Sequence, residues 1–237
     1  MFEGKRVALI IPALDEATTI GEVIAAVDRQ LVDDLIVADN GSSDQTAQIA
    51  SAAGADVVVA RRRGYGSACL AGIARARQHG AELFAFLDAD GSDDPRELGL
   101  LFELLAARSL DLVIGSRVLG TAERGALTPV QRFGNALTCT LVRIFWGVRF
   151  TDLGPLRVIT GPALDALEMV DPDFGWTIEM QVKSAQRGLR VAETAVSYRN
   201  RRGGRSKVSG SLRGSYLAGR KILGYVFAAK FREFAGR

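Results

Sequence analysis

The chain has 237 residues, of which 48% are apolar and 24% charged. This composition is that of an ordinary globular domain, and it excludes collagen, a disulfide-stabilised scaffold and a largely disordered chain. The 30 Lys and Arg residues only slightly outnumber the 27 Asp and Glu residues, but 11 basic residues and one acidic residue lie from Arg199 onward. Such a basic end suits nucleic acid, a phosphorylated ligand or an anionic membrane, and charge alone does not distinguish these partners.

The two cysteines and the hydropathy pattern indicate where in the cell the protein is located. Neither Cys69 nor Cys139 lies in a metal-ligand or redox spacing, so we interpret both as small core residues in a reducing environment. No uncharged run approaches the ~20 apolar residues of a membrane-spanning helix, and the run before Pro12 ends too early for a secretory signal. We therefore expect a cytoplasmic protein whose membrane contact, if it has one, is peripheral.

Apolar, β-branched runs alternate with helical patterns along the first half of the chain. Strands are predicted at residues 5–11, 33–39, 56–60, 82–88 and 111–117. Helices are predicted at residues 18–31 and after Asp44, Gly66 and Pro95. Strands separated by helices need crossover connections, so the pattern predicts an α/β fold with a mostly parallel sheet and helices on both faces. Ligands bind beyond the carboxyl ends of the strands in such sheets.

The second half of the chain is less regular. Helices are predicted at residues 129–147, 162–169 and 177–187, a loop at 151–157 and an alternating strand at 189–199. The polar, glycine-rich segment 200–211 is expected to be mobile. From Leu212 to Phe234, apolar residues recur at helical spacing between Arg and Lys residues, which predicts a basic amphipathic helix. The chain is accordingly divided into a main domain at 1–210 and a C-terminal helix at 211–237.

Two carboxylates follow the strand predicted at residues 82–88. Asp88 and Asp90 are separated by one small residue, and such hard oxygen ligands suit Mg²⁺ or Mn²⁺ that is completed by substrate phosphate oxygens. The alternative is a solvated turn, with Asp93 and Asp94 capping the next helix. A position at a sheet edge shared with other polar loops favours the metal site.

The loops after the other strands are also polar. Asp39 can accept hydrogen bonds from a nucleobase, or its loop can simply cap the next helix through Ser43 or Asp44. Glu16 either caps the helix after the first strand or meets a ligand hydroxyl. The arginines at 61–63 precede a glycine turn without the third glycine of a dinucleotide fingerprint, which argues against a nicotinamide site and favours a phosphate-rich ligand.

Five motifs, in this order, resemble those of family 2 glycosyltransferases with the GT-A fold. They are PALDE at 12–16, DNGSSD at 39–44, GYG at 64–66, DAD at 88–90 followed by Asp94 and Pro95, and GSR at 115–117. The subgroup resembled most is that of dolichyl-phosphate mannose synthase and polyprenyl-phosphate glycosyltransferases. Residues 151–152, 176–179 and 201–207 also resemble this subgroup, so the likeness covers almost the whole chain.

The resemblance implies a binding site for a nucleotide-sugar and its metal. The residues that would surround the base and ribose are Pro12, Leu14, Glu16, Val37 and Asp39. Asp88 and Asp90 would bind Mg²⁺ or Mn²⁺, with Ala89 beside the nucleotide.

The resemblance also implies a phosphate-binding and catalytic set. Arg117, Arg201 and Lys207 would hold the diphosphate or the acceptor phosphate. Asp90, Arg117 and Asp152 are the expected catalytic residues. Asp152 would be a carboxylate of the acceptor site, and a role in the turn that it begins fits the sequence equally well.

Three features depart from the subgroup. Leu14 stands where dolichol-mannose enzymes tend to carry an aromatic residue, and Asn40 replaces a common acid. No transmembrane helices follow the region that resembles the catalytic domain. The first departure leaves the donor base and sugar open, and the last makes any membrane contact peripheral.

The function that the resemblance implies is metal-dependent, inverting transfer of a sugar from a nucleoside diphosphate to a polyprenyl phosphate. We expect the protein at an anionic membrane surface on the cytoplasmic side, without nucleic acid and with a homo-oligomer left open. Transfer to a soluble hydroxyl also fits the sequence, and Glu179 or Asp152 would then act as a base. A sugar nucleotidyltransferase and a non-catalytic module that binds nucleic acid or a membrane are less favoured interpretations. The sequence leaves the lipid length open.

Overall fold

The computed structural model describes residues 1–203 and 212–235, and for 212–217 it describes the backbone alone. The strands are β1 (Val7–Ala13), β2 (Asp34–Asp39), β3 (Asp56–Val59), β4 (Leu83–Phe86), β5 (Leu112–Ala122), β6 (Arg157–Thr160) and β7 (Val191–Tyr198). The helices are α1 (Ile20–Ala25), α2 (Thr46–Ala52), α3 (Tyr65–Gln78), α4 (Leu98–Ala107), α5 (Pro129–Trp146), α6 (Gly161–Leu167), α7 (Trp176–Gln186) and α8 (Leu212–Ala235). A short 3₁₀ turn at Pro95–Glu97 precedes α4.

The strands form one sheet in the order β3-β2-β1-β4-β6-β5-β7. β1 pairs in parallel with β2 and β4, and β5 pairs in parallel with β7. β6 is antiparallel to both of its neighbours, β4 and β5. The predicted α/β fold with a mostly parallel sheet is therefore confirmed. The carboxyl ends of β1, β2, β4 and β5 lie along the same edge.

Strand β6 is the element that the sequence analysis does not predict. It has four residues, it begins at the last residue of the segment interpreted as a loop, and α6 begins directly after it. A run this short carries too little periodicity to be recognised. Its residues nevertheless alternate between the two sides of the sheet, because Val158 belongs to one core cluster and Ile159 to the other.

Helices cover both faces of the sheet. On one face Leu9 packs in a cluster with Ile24 of α1 and Phe102 of α4. On the other face Ile10 shares a cluster with Trp176 of α7 and with residues of α3, α5, α6 and α8. All seven residues of β1 are buried, as is typical of a strand covered on both sides. The sheet therefore holds the loops at its edge on a rigid support.

Helix α1 is shorter than predicted. It ends at Ala25, whereas the pattern extended to Leu31. The carboxylate of Asp28 accepts a hydrogen bond from the amide of Gln30 at 2.8 Å. This local bond competes with the helical pattern and closes a turn instead.

The predicted C-terminal helix is present, and its apolar stripe is divided between the core and the surface. Val226 and Ala229 of α8 are buried in the core shared with α5 and α7. Phe227, Phe231 and Phe234, three residues of the predicted apolar stripe, are 44%, 73% and 67% exposed. These three residues therefore face outward, whereas Val226, which also belongs to the predicted stripe, attaches the helix together with Ala229.

Part of the C-terminal prediction lies outside the described residues. The boundary at 210 and 211 falls there, as do the side chains of Leu212 and Tyr216. Within the described residues, no helix combines the length and the apolar character needed to cross a membrane.

The contact between α3 and β1 gives a test of the fold. A methyl group added at Gly72 of α3 would overlap the side chain of Ile10, whereas one added at Gly99 of α4 would meet no atom within 4 Å. Overpacking a well-filled core costs about 1–3 kcal/mol. We expect Gly72→Ala to lower the free energy of unfolding in urea by that amount, and Gly99→Ala to leave it unchanged or slightly higher. Equal stability of the two variants would contradict this packing.

Candidate active site

A cleft of about 1730 Å³ opens at the edge of the sheet where the parallel strands end. Its floor is formed by the segment that follows β4 and by the end of β1, and one wall is formed by α5 and α8. Its polar and charged lining residues include Glu16, Asn40, Arg63, Asp88, Asp90, Arg117, Asp152 and Arg201. The structure thus brings together side chains that are up to 185 positions apart in the chain, as between Glu16 and Arg201.

Asp88 and Asp90 lie at the floor of the cleft, as predicted. The hydroxyl of Tyr65 donates a hydrogen bond to Asp88 at 2.9 Å. Burial, together with the charge of Asp90, raises the pKa of Asp88 to about 7. Asp90 accepts a hydrogen bond from the amide of Ser92 at 2.9 Å. Ala89 between them is buried, and its carbonyl oxygen accepts a hydrogen bond from Thr19 at 2.8 Å.

Asp93 is a third carboxylate near this floor, and its environment differs from the prediction. Asp94 caps the turn before α4, accepting a hydrogen bond from the amide of Arg96 at 3.1 Å. Asp93 takes no part in the cap. It is 2% exposed, and neither of its oxygens has a hydrogen-bond partner among the residues that the structure describes. Burial and the charge of Asp88 raise its pKa well above the usual range.

The chemistry of these carboxylates fits a divalent cation. Burial and mutual repulsion raise the pKa values of Asp88 and Asp93, and a divalent cation would relieve this repulsion. Within residues 1–203 and 212–235, however, no three His, Cys, Asp or Glu side chains converge to hold a metal by themselves. A hard cation here would need further oxygens from a phosphate ligand or water, and Mg²⁺ and Mn²⁺ accept such ligands.

Only three of the five residues expected around the base and ribose line the cleft. Pro12, Leu14 and Glu16 line it. Val37 has no exposed surface and packs in the core below. Asp39 is 6% exposed, and its carboxylate accepts hydrogen bonds from the amide and the hydroxyl of Ser42. The structure therefore places Val37 away from any ligand and gives Asp39 a partner within its own loop.

Arg117, in the middle of β5, forms a buried ion pair with Asp152. One carboxylate oxygen of Asp152 accepts hydrogen bonds from Nε and the amide of Arg117 at 2.7 and 2.8 Å, and the other accepts one from Nη2 at 2.8 Å. Burial alone would lower the pKa of Arg117, but the hydrogen bonds and the charge of Asp152 raise it. The guanidinium also lies 4.9 Å from the ring centre of Tyr198. Both oxygens of Asp152 are thus engaged, which disfavours its action as a base.

The turn that begins at Thr151 is held by three side chains from other elements. Glu193 of β7 accepts hydrogen bonds from the amides of Thr151 and Asp152 at 2.8 and 3.1 Å. Asn135 of α5 donates to the carbonyl oxygen of Thr151 at 2.8 Å, and Gln181 of α7 donates to that of Asp152 at 2.8 Å. The sequence analysis does not identify these three residues, because each lies far from the turn in the chain and in no motif of its own.

Glu179 does not lie in the cleft. It is fully buried in α7 and accepts hydrogen bonds from the amides of Val170 and Asp171 at 3.1 and 2.7 Å. Lys183 lies 2.8 Å from the same carboxylate. These contacts give Glu179 a structural role. They disfavour the alternative in which Glu179 acts as the base for a soluble acceptor hydroxyl.

Arg201 reaches the acidic floor from the segment after β7. Its guanidinium donates a hydrogen bond to Glu16 through Nη2, and Nη1 lies 3.4 Å from Asp90. Nε donates to the carbonyl oxygen of Gly203 at 2.7 Å. Lys207 and most of the segment 200–211 lie outside the described residues.

Comparisons with known proteins agree with these motifs. The model of the family described as glycosyl transferase family 2 matches residues 8–160. An uncharacterised glycosyltransferase of Mycobacterium tuberculosis is 39% identical over 216 residues, or 91% of this chain and 95% of that protein. The undecaprenyl-phosphate mannosyltransferase of Micrococcus luteus is 30% identical over 223 residues, or 88% of this chain and 90% of that protein.

A solved structure has the same fold. Glucosyl-3-phosphoglycerate synthase from Mycobacterium tuberculosis, in complex with Mn²⁺, UDP-glucose and phosphoglyceric acid, matches with a TM-score of 0.78 and 24% identity. The match covers 96% of this chain and 80% of that one. At this identity the likeness concerns the fold alone.

The ion pair between Arg117 and Asp152 can be tested with a double-mutant cycle. Removing one partner of a buried pair leaves the other charge uncompensated, which costs about 3 kcal/mol. We expect Asp152→Asn and Arg117→Gln each to lower the free energy of unfolding by about that amount, and the double variant to lose clearly less than their sum.

The exposed pair of Arg187 and Glu168 provides the control for this cycle, since its side chains are 51% and 75% exposed. Glu168→Gln should change the free energy of unfolding by less than about 1 kcal/mol. Additive effects of Asp152→Asn and Arg117→Gln in urea denaturation would contradict the coupling.

Proposed function

Since the chain belongs to glycosyl transferase family 2, we propose that it transfers a hexose from a nucleoside diphosphate to a polyprenyl phosphate. The anomeric configuration would invert, and the reaction would need Mg²⁺ or Mn²⁺. The observation that carries this proposal is the division of the cleft into an acidic floor and an apolar wall. The two parts suit the two ends of such a reaction, a charged donor and a lipid acceptor.

The floor suits the donor. Asp88 and Asp90 are the residues that would hold the metal, and a bound divalent cation would neutralise charge on the departing diphosphate. Arg117 is fixed by Asp152 with its guanidinium at the cleft. Arg201 adds a second cation beside the same floor. Both arginines are in a position to stabilise phosphate oxygens through charge-assisted hydrogen bonds.

The wall suits an isoprenoid chain. Its apolar side chains come from the residue before the N-cap of α5, from the first half of α5 and from the middle of α8, and they are Leu127, Val130, Phe133, Leu137, Ile222 and Leu223. Val130 and Phe133 are 59% and 71% exposed, so the apolar wall continues from the cleft onto the surface. The undecaprenyl-phosphate specificity in the name of the Micrococcus luteus relative supports the same acceptor class.

An acceptor phosphate also fits the groups at the site. A phosphate monoester is already largely anionic at neutral pH, whereas a hydroxyl must lose a proton during attack. Asp152 is engaged by Arg117 and Glu179 lies outside the cleft. The two carboxylates considered as bases therefore both have other partners, while the guanidinium groups of Arg117 and Arg201 at the cleft suit an anionic acceptor.

The outer surface of α5 and α8 supports peripheral binding to an anionic membrane. Ile144 of α5 and the three phenylalanines of α8 are exposed, and the rings of Phe145 and Phe227 join the two helices at a distance of 5.8 Å. The exposed charged residues on these helices include Arg132, Arg143, Arg220 and Arg232. Apolar side chains within a basic rim are typical of surfaces that lie in the headgroup region. The cytoplasmic leaflet carries the matching negative charge.

The proposed reaction is tested by direct transfer assays. The protein should move labelled sugar from UDP-hexose or GDP-hexose to undecaprenyl phosphate with Mn²⁺, and excess EDTA should abolish transfer. Asp90→Asn should lower kcat by about a hundredfold or more, the loss that follows when charge stabilisation in a transition state is removed. Glu22→Gln, on the exposed surface of α1, should retain full activity.

The same assay separates the acceptor classes. Transfer to 3-phosphoglycerate in preference to undecaprenyl phosphate would overturn the lipid acceptor and favour a soluble one. Full turnover in EDTA would instead overturn the metal requirement.

Membrane binding is tested by vesicle flotation. Replacing both Phe231 and Phe234 with Ser should lower binding to phosphatidylglycerol vesicles about tenfold or more, because two exposed aromatic anchors are lost. The control is Leu100→Ser, which removes a 46% exposed side chain from α4 on the opposite face of the sheet. Binding should weaken with added salt. Unchanged flotation of the double variant, with a change in its oligomeric state, would assign this surface to a second copy of the chain.

A further inference from the structure

We propose that Arg201 and the divalent metal compete for Asp90, so that metal and nucleotide each strengthen the binding of the other. This inference rests on the proposed function, because it concerns the metal expected at the same floor. It gives Arg201 a role before phosphate binding, as a cation that neutralises Asp90. It also gives Glu16 a role that differs from the expected contact with the nucleotide, as the carboxylate that holds Arg201 in place.

Arg201 lies between two carboxylates of the cleft. Nη2 of its guanidinium donates a hydrogen bond to Glu16, and Nη1 lies 3.4 Å from a carboxylate oxygen of Asp90. The three side chains are largely buried, with exposures of 20% for Arg201, 7% for Glu16 and 16% for Asp90. Solvent therefore screens these charges less than it screens a surface pair.

The backbone around Arg201 contacts the loops after β1 and β4. The amide of Arg202 donates to the carbonyl oxygen of Asp90 at 3.4 Å. Gly203 lies so close to Thr18 that a methyl group at its Cα would overlap that side chain. Because the segment rests directly on the loops after β1 and β4, the guanidinium is delivered to the carboxylates by well-defined contacts.

Electrostatic repulsion opposes a metal at Asp90 while Arg201 stays beside it. A divalent ion bound to Asp90 would lie within a few ångströms of Nη1 of Arg201, and two cations at that distance repel each other strongly in a partly buried site. Arg201 would therefore have to leave Asp90 when a metal binds. The diphosphate supplies new acceptors for the displaced guanidinium, which has five N–H donors suited to phosphate oxygens.

The consequence is a coupling between the two ligands. When metal binds alone, the guanidinium of Arg201 loses its contact with Asp90 and gains no new acceptor. When metal binds with a diphosphate, the phosphate oxygens replace Asp90 as acceptors for the guanidinium. Each ligand then raises the affinity for the other by the same factor.

The test compares two arginine variants that change the net charge equally. Arg201→Ala removes the competing cation. Arg202→Ala removes its neighbour, which pairs with Glu22 at 3.0 Å on the surface, where the two side chains are 53% and 69% exposed. The dissociation constant of Mn²⁺ is measured by electron paramagnetic resonance of the free ion, first without nucleotide and then with saturating UDP or GDP.

We expect Arg201→Ala to bind Mn²⁺ alone roughly tenfold more tightly than the unchanged protein, the order of effect of removing one nearby cation. Arg202→Ala should match the unchanged protein. The gain in Mn²⁺ affinity on adding nucleotide should be large in the unchanged protein and in Arg202→Ala, and much smaller in Arg201→Ala.

Equal or weaker binding of Mn²⁺ alone by Arg201→Ala would overturn the competition. If the unchanged protein still bound nucleotide in a metal-dependent way, the proposed function would survive that result. Tighter Mn²⁺ binding by Arg201→Ala, combined with no metal-dependent nucleotide binding by the unchanged protein, would support the competition for Asp90 but overturn its coupling to the nucleotide, and it would count against the proposed function.

Discussion

The buried ion pair between Arg117 and Asp152 is the contact on which the organisation of the cleft depends. Asp152 belongs to a turn that has no regular structure of its own, and Glu193 of β7, Asn135 of α5 and Gln181 of α7 fix the backbone of that turn. The ion pair with Asp152 in turn fixes the position of the Arg117 side chain within β5. An arginine side chain has many accessible rotamers. Holding it in one rotamer before a phosphate binds reduces the conformational entropy lost on binding.

Charge and apolar surface are separated within one cleft, and the sheet topology explains how. The parallel strands bring carboxylates and arginines to one edge, whereas α5 and α8 are added to one face of the sheet and contribute the apolar wall. The two helices attach through residues such as Val226 and Ala229 and leave their phenylalanines outward. A donor with several charges and an acceptor with a long hydrocarbon chain can thus approach from different sides.

The sequence predicts those site residues that directly follow an apolar strand, because strand ends of a parallel sheet meet at one edge. Asp88 and Asp90, which follow β4 and line the cleft, are predicted in this way, whereas Arg117 lies within β5 and is expected only from the family resemblance. Partners that act across the fold, such as Glu193, carry no local pattern and depend on tertiary packing. Glu179 shows the converse, since only the fold reveals that backbone amides occupy its carboxylate. The helical periodicity also does not predict which face of α8 packs against the protein, because apolar residues lie on both faces of this helix.

The position of β6 determines when the sheet can be completed during synthesis of the chain. β4 and β5 follow each other in sequence, yet in the sheet β6 lies between them and pairs with both. β5 gains both of its partners, β6 and β7, from later parts of the chain. During synthesis β4 therefore keeps one open edge and β5 two until the ribosome has released Thr160 and the residues beyond it. Open strand edges pair readily with other chains, so a fragment that stops short of β6 would be prone to aggregation despite containing every acidic residue of the cleft floor.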